Sequence, residues 1–259
     1  MEQNFLDSLY NTHVACCKVP SRAMVTTFFE DLLGMLFPEL TDKVYLEKSA
    51  FDLEFVNLKE AFYELLYAKP NNEGLKAENN TKTFFEALPQ IYNLLHKDAE
   101  AMLGGDPAAK SKDEVIRAYP GFYAIAAYRM AHQLWTQGIE VIPRTITEIA
   151  HSRTGIDIHP GAQIGKNFCI DHGTGVVIGE TTMIGDNVKI YQGVTLGALS
   201  VDKKDMDNKR HPTIESNVVI YAGATILGGE TVIGEHAIIG GNVWIVKSVA
   251  AHSKIYYKS

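Results

Sequence analysis

Two places in the chain set a histidine beside a charged residue at a loop: Asp171-His172-Gly173-Thr174-Gly175 and Arg210-His211-Pro212. An imidazole with an ordinary pKa of about 6.5 is mostly neutral at neutral pH and can take a proton from a hydroxyl. A carboxylate close by would fix its tautomer and stabilise the cation formed during transfer, and Asp157 is one candidate. An arginine offers a two-pronged grip on a carboxylate. Together these residue types describe a site that holds a small charged molecule and removes a proton from it. Taken singly, a loop histidine is more simply a solvated or structural residue. What raises these two above that reading is where they fall in a longer pattern.

The pattern is a repeat of six. After about residue 155 an aliphatic residue recurs in four phased runs: Ile158, Ile164, Ile170; Ile178, Ile184, Ile190, Leu196; Ile214, Ile220, Ile226; Ile233, Ile239, Ile245. Six of these thirteen positions are followed directly by glycine. A helix repeats at about 3.6 and a strand at about 2, so neither explains six. A three-sided parallel β-solenoid does, with one short strand and one corner per hexad, the aliphatic side chain inside and small residues at the corners. Each coil buries its face only by stacking on its neighbour.

The repeat is interrupted three times. Eight positions separate Ile170 from Ile178, and the extra room holds Asp171 to Gly175. A long charged loop, 197–213, lies between Leu196 and Ile214 and carries Arg210 and His211 near its end. One residue is added between Ile226 and Ile233, within Leu227-Gly228-Gly229-Glu230-Thr231. A solenoid wall is scaffold, so chemistry is expected at its register breaks. Both charged histidine pairs lie at such breaks. His159-Pro160 reads as a corner, and the other histidines as surface or packing residues.

The first 150 residues lack the hexad and read as helices that must carry or pack against the coil. Apolar residues at helical spacing run from Glu47 to Ala68, from Thr83 to Leu103, and from Pro120 to Gly138. Pro70 with Asn-Asn-Glu-Gly breaks the first stripe, and Gly104-Gly105-Asp106-Pro107 stops the second. Their aromatic residues read as helix-packing surface. The composition is 46% hydrophobic and 21% charged, which supplies both a core and a solvated surface. A net charge of -7 with no dense Lys/Arg run argues against a nucleic-acid footprint. No stretch reaches the ~18–20 apolar residues of a membrane span, and the N-terminus lacks a basic start and apolar segment. Cys16, Cys17 and Cys169 form an odd count with no zinc spacing, so three free thiols in the cytoplasm are expected.

An all-helical region followed by hexads, with Asp157-Ile158-His159-Pro160, the run Asp171-His-Gly-Thr-Gly-Val-Val-Ile-Gly-Glu-Thr181, and Arg210-His211-Pro212, resembles the serine acetyltransferases of bacterial and plant cysteine biosynthesis. Ala126-Ala-Tyr-Arg-Met-Ala-His-Gln-Leu-Trp135 resembles their last N-terminal helix, and the likeness covers roughly residues 95–250. The resemblance implies an α+β fold: an all-helical oligomerisation domain over 1–150, then a left-handed parallel β-helix catalytic domain over 151–259. It implies transfer of acetyl from acetyl-CoA to the L-serine hydroxyl, giving O-acetylserine and CoA, the first step of cysteine biosynthesis from serine. By the same resemblance His172 is the general base and Asp157 its orienting partner. Asp106 and Asp171 hold the serine ammonium, Arg210 its carboxylate, and His211 meets the substrate close to the reacting hydroxyl. CoA lies in a groove between neighbouring β-helices of a homotrimer, along the backbone near Gly197, Ala198, Ala222 and Gly241. Acetyl-CoA is a co-substrate; no tightly bound cofactor and no metal are implied. The family commonly forms a dimer of trimers through its helical domains, and its feedback inhibitor, L-cysteine, occupies the serine site.

Some features depart from the family pattern. Leu196-Gly197-Ala198 stands where Leu-Gly-Gly is frequent, and the 198–209 loop is longer and more charged. The chain reaches Ser259 soon after its last hexad, whereas many members continue into a tail whose terminal isoleucine inserts into O-acetylserine sulfhydrylase. A stable complex with that enzyme is therefore not expected. Two other readings stand beside serine acetylation. A hexapeptide-repeat enzyme acetylating a sugar or another hydroxyl compound would have less use for Arg210 with Asp106 and Asp171. A zinc site built from His172, His211 and His159 would have Arg210 as an unhelpful neighbour.

Overall fold

The computed structural model describes residues 2–16, 20–67, 74–199 and 208–257. Among these residues seven α-helices come first: α1 Glu2–Cys16, α2 Arg22–Leu36, α3 Lys48–Tyr67, α4 Gly74–Gly105, α5 Lys112–Ala118, α6 Pro120–Thr136 and α7 Ile142–Thr154. The first helical stripe is α3, which buries Leu58, Phe62, Leu65 and Leu66. The second belongs to α4, which begins nine residues earlier than the stripe and carries Pro89 within it. The expected break at 68–73 lies outside the described residues. Phe28, Phe62 and Phe84 meet ring to ring, with centroids 4.9 Å apart for Phe28–Phe62 and for Phe62–Phe84. Much of the aromatic stripes is thus core, as their spacing suggested, while Phe51, Tyr92 and Trp135 stay partly exposed. Helix α7 lies beyond the three stripes. It continues to Thr154, where Gly155 ends it in the left-handed conformation at φ 70. Among the described residues no helix is long and apolar enough to cross a membrane. Cys169 is a free, buried thiol, whereas Cys17 and the Cys16 side chain lie outside the described residues.

From Asp157 onward the chain makes strands of two or three residues and visits three parallel sheets in turn. The first face stacks Ile158, Ile178, Leu196, Ile226 and Ile245 in register. The second stacks Ile164, Ile184, Ile214 and Ile233. The third stacks Ile170, Ile190, Ile220 and Ile239, and Ile255 extends it by one position that the hexad spacing does not include. Each strand pairs with its counterpart one coil away, on both sides except at the ends of the stack, which makes a three-sided coil. All thirteen predicted positions are inside it, and only Ile164 is not fully buried. At about 1.5–3 kcal/mol per fully buried aliphatic side chain, this column rather than the two-residue strands carries the stability. Small residues alone do not make the corners. At one edge Asn167, Asn187, Asn217, His236 and His252 all take positive φ, between 58 and 62. The asparagines also hydrogen-bond up the edge, Asn167 to Asn187 at 2.6 Å and Asn187 to Asn217 at 3.2 Å. Asparagine and histidine tolerate this conformation better than most side chains.

A buried polar clamp joins the helices to the first coil. Arg129 of α6 pairs with Asp98 of α4 at 2.9 Å and also donates to the carbonyls of Ile164 (2.7 Å) and Gly165 (2.6 Å). Asp98 in turn accepts from the Phe168 N–H at 2.9 Å. Tyr128 donates to the Ala162 carbonyl at 2.7 Å and accepts from the Ile164 N–H at 3.1 Å. Every charge in the clamp has several partners, the condition under which a buried pair is tolerated. The clamp therefore fixes where the end of α4, and Asp106 just after it, stands against the coil.

Candidate active site

The eight-position spacing makes a bulge at the edge where the third face turns into the first. His172 sits there at φ 58 with its side chain 71% exposed, its Nε2 3.7 Å from Asp171 Oδ1. Gly173 follows at φ 92, and a Cβ there would come within 2.4 Å of Ile156 Cδ1, so only glycine lets the bulge close over the core. Asp171 is 11% exposed and pairs with Lys189 Nζ at 2.9 Å. Lys189 also donates to the Gly105 carbonyl at 2.6 Å, which ties the α4 terminus to the bulge. Asp106, the next residue, accepts from the Ala108 N–H at 2.8 Å and from the Tyr119 hydroxyl at 2.5 Å. That hydroxyl, more than the nearby Lys189 and His172 charges, holds the Asp106 carboxyl below its usual range. The same bond pushes the Tyr119 phenol up to about 12. This edge therefore presents an exposed imidazole beside two carboxylates, Asp106 and Asp171.

The opposite edge of the same face holds the second group. Arg210 pairs with Glu180. His211 is 8% exposed, and its ring lies against Gly179, where a Cβ would fall 2.0 Å from His211 Cδ2. Its Nδ1 is 3.1 Å from the Thr181 N–H and 2.9 Å from Thr181 Oγ1. Burial, reinforced by Arg210, pushes the His211 imidazole down to about 4. His159 accepts from the Gly161 N–H at 3.0 Å and meets the Trp135 ring edge-on at 5.2 Å, as suits a corner. A cavity of about 310 Å³ is lined by Trp135, Glu180, Thr181 and Lys209 among others. Asp157 stands on the strand between the two edges, level with Val177. Its carboxylate is 3.6 Å from Arg144 and lies within 4.8 Å of ligand atoms on Glu148 and His151.

One strand, Val177–Ile178, separates the two groups: the His172 bulge runs into it and Glu180-Thr181 runs out of it. A face one hexad wide spans about 15–20 Å at ~3.3 Å per residue, more than one small substrate can bridge. Within one chain the fold thus brings Asp106, Asp171 and His172 together, and separately gathers Arg210 and His211, while Asp157 lies on the strand between them against α7. Among the described residues no hydrogen bond or ion pair joins Asp157 to His172. The residues expected along CoA divide in the same way. Gly197 ends a strand and Ala198 follows it at the Arg210 edge, while Ala222 and Gly241 adjoin at the His172 edge, where a Cβ on Gly241 would meet the Ala222 carbonyl at 3.0 Å. The 200–207 part of the charged loop lies outside the described residues. The zinc set is not assembled, since His172 stands apart from His159 and His211. The one group of three with metal-ligand spacing among the described residues is Glu148, His151 and Asp157.

No established family profile matches the chain. The plasmid serine acetyltransferase of Synechococcus elongatus is 53% identical over 260 residues, spanning 92% of this chain and 81% of that protein. The chain belongs to the serine acetyltransferase family. Its fold agrees with solved members. Serine acetyltransferase 1 of Entamoeba histolytica, in complex with L-cysteine, matches with TM-score 0.81 and 38% identity over 88% of this chain and 86% of that one. The Neisseria gonorrhoeae serine acetyltransferase in complex with serine matches with TM-score 0.62 and 25% identity over 89% and 93%.

Three residues of the candidate site do not stand out in the sequence: Tyr119, Lys189 and Thr181. Lys189 and Thr181 carry signals all the same. Lys189 directly precedes a hexad isoleucine, so it points outward one coil along from Cys169 and reaches Asp171. Thr181 closes the Gly-Glu-Thr segment of a matched motif. Tyr119 carries none, because its approach to Asp106 depends on how α5 folds back on α4.

Proposed function

We propose that this chain is a serine O-acetyltransferase that moves acetyl from acetyl-CoA to the L-serine hydroxyl, the first step of cysteine biosynthesis from serine. The observation that carries the reading is the His172 edge: an exposed imidazole at a register break, beside the Asp171 and Asp106 carboxylates, which suit an ammonium group. In this reading Asp106 and Asp171 hold the serine ammonium, and His172 takes the hydroxyl proton as the oxygen attacks the thioester carbonyl. The C–O bond forms, the C–S bond breaks, and the proton passes from His172 to the departing CoA sulfur. Positioning and general-base catalysis suffice, with no covalent intermediate on the protein, no bound cofactor and no metal.

The separation of the two edges supports a homotrimer wound as left-handed β-helices, with the helical region, 1–150, assembling the oligomer and 151–259 catalytic. In such an assembly the His172 edge of one copy meets the opposite edge of the next. Arg210 and His211 of the partner subunit then bind the serine carboxylate, and Asp157 of the partner subunit orients His172. Gly197 and Ala198 on one copy and Ala222 and Gly241 on the other line a shared CoA groove. L-Cysteine, which shares serine's ammonium and carboxylate, acts as a feedback inhibitor at the same site, and the enzyme works in the cytoplasm. An assay of CoA-thiol release with serine and acetyl-CoA tests the reading. Turnover that depends on serine, and inhibition by cysteine competitive with serine, are the expected results. Preference for a sugar acceptor would refute it.

A further inference from the structure

We propose that Thr181 is a positioning residue that locks His211 as a fixed Nε2–H donor toward a substrate oxygen, so that this second imidazole binds and does not act as a base. The identity of the substrate rests on the function proposed above, but the tautomer does not. Thr181 Oγ1 accepts from the backbone N–H groups of Arg210 (3.0 Å) and His211 (3.1 Å). With both acceptor positions used, the hydroxyl proton is left for its third neighbour, His211 Nδ1, at 2.9 Å. The Thr181 backbone N–H donates to the same nitrogen at 3.1 Å. Two donors aimed at one ring nitrogen require a lone pair there, so the ring's single proton lies on Nε2. Among the described residues no hydrogen bond takes that Nε2 proton.

The surroundings keep the ring neutral. Arg210, Lys209 and His159 all disfavour a second positive charge, and burial against Gly179 does so more strongly. The carboxylate on the other side, Glu180, is already paired with Arg210. Lys209 adds to the tie by donating to the carbonyls of both Thr181 (3.1 Å) and His211 (2.7 Å). Thr181 thus fastens Lys209, Arg210 and His211 to the coil, and does so with its hydroxyl, backbone N–H and carbonyl together.

The test combines nitrogen NMR of ¹⁵N-histidine-labelled enzyme, free of substrate, with steady-state kinetics. In the unmodified chain His211 should show a lone pair on Nδ1 and a proton on Nε2, unchanged between about pH 8 and 5.5. Thr181→Val, which keeps the shape and removes the hydroxyl, should raise the KM for serine roughly three- to tenfold with kcat changed far less, because two N–H groups lose their acceptor. Thr181→Ser should restore the wild-type KM. A proton on Nδ1, titration of His211 near its ordinary value, or a normal serine KM in Thr181→Val would each overturn the proposal. Absence of serine turnover in the unmodified enzyme, with the Nε2–H tautomer intact, would instead refute the proposed function.

Discussion

His172 and His211 are the same residue type at opposite edges of one face, and their surroundings make them different chemical groups. His172 stands 71% exposed on a bulge, with its Nε2 3.7 Å from the Asp171 carboxylate. His211 is 8% exposed, held by Thr181 and kept neutral by burial and by Arg210. The contrast teaches that the register break determines which histidine leaves the wall, whereas local hydrogen bonding determines what it can do once there.

The strongest way to break this comparison is to remove each ring. His172→Ala should lower kcat about 10²–10⁴-fold, whereas His211→Ala should act mainly on the KM for serine, by roughly tenfold. Steady-state kinetics in serine would show it; equal losses of kcat in both variants would erase the distinction. Acid stability should separate them next. An unfolded imidazole titrates near about 6.5, and His211 in the fold near about 4. Between those values the unfolded chain binds a proton that the folded chain refuses. Stability is therefore full above about 6.5 and falls as pH drops toward 4, by on the order of 3 kcal/mol. Denaturant unfolding across that window should show a shallower loss in His211→Asn than in the parent.

The glycines beneath the two rings give a finer division. Gly173→Ala strains the bulge and should lower kcat, while Gly179→Ala drives a methyl into the His211 ring and should raise the serine KM. Each change should also cost about 1–3 kcal/mol of stability, measurable by thermal unfolding. The smallest effect is expected at Lys189. Replacing it by Met leaves Asp171 without its 2.9 Å partner and releases the Gly105 carbonyl, which should raise the serine KM by about threefold, around 0.7 kcal/mol. A change in kcat alone would argue against that positioning role.

Much of the coil is legible in residue spacing alone. Ile158 through Ile245 repeat at six because each must point inward once per face, and a short period survives in the sequence as plain spacing. The spacing stops short of Ile255, whose column continues after a corner of different length. Helix α7 escapes because it is short and followed directly by the coil, and α4 begins earlier than its cleanest stripe. In the site, the residues at the register breaks are visible as such. Tyr119, Lys189 and Thr181 are not, because their partners are 13, 18 and 30 residues away along the chain.

The sequence by itself determined the three-sided coil, the helical region before it, and which histidines leave the regular wall. These follow from local periodicity and from breaks in it, and both are properties of neighbouring residues. Only the tertiary structure decided that Asp106 joins Asp171 and His172 while Arg210 and His211 lie across the face. Only it decided that His211 is a neutral donor. Those outcomes depend on which coil stacks on which and on how α4 and α6 are clamped to the first coil, so no spacing along the chain encodes them.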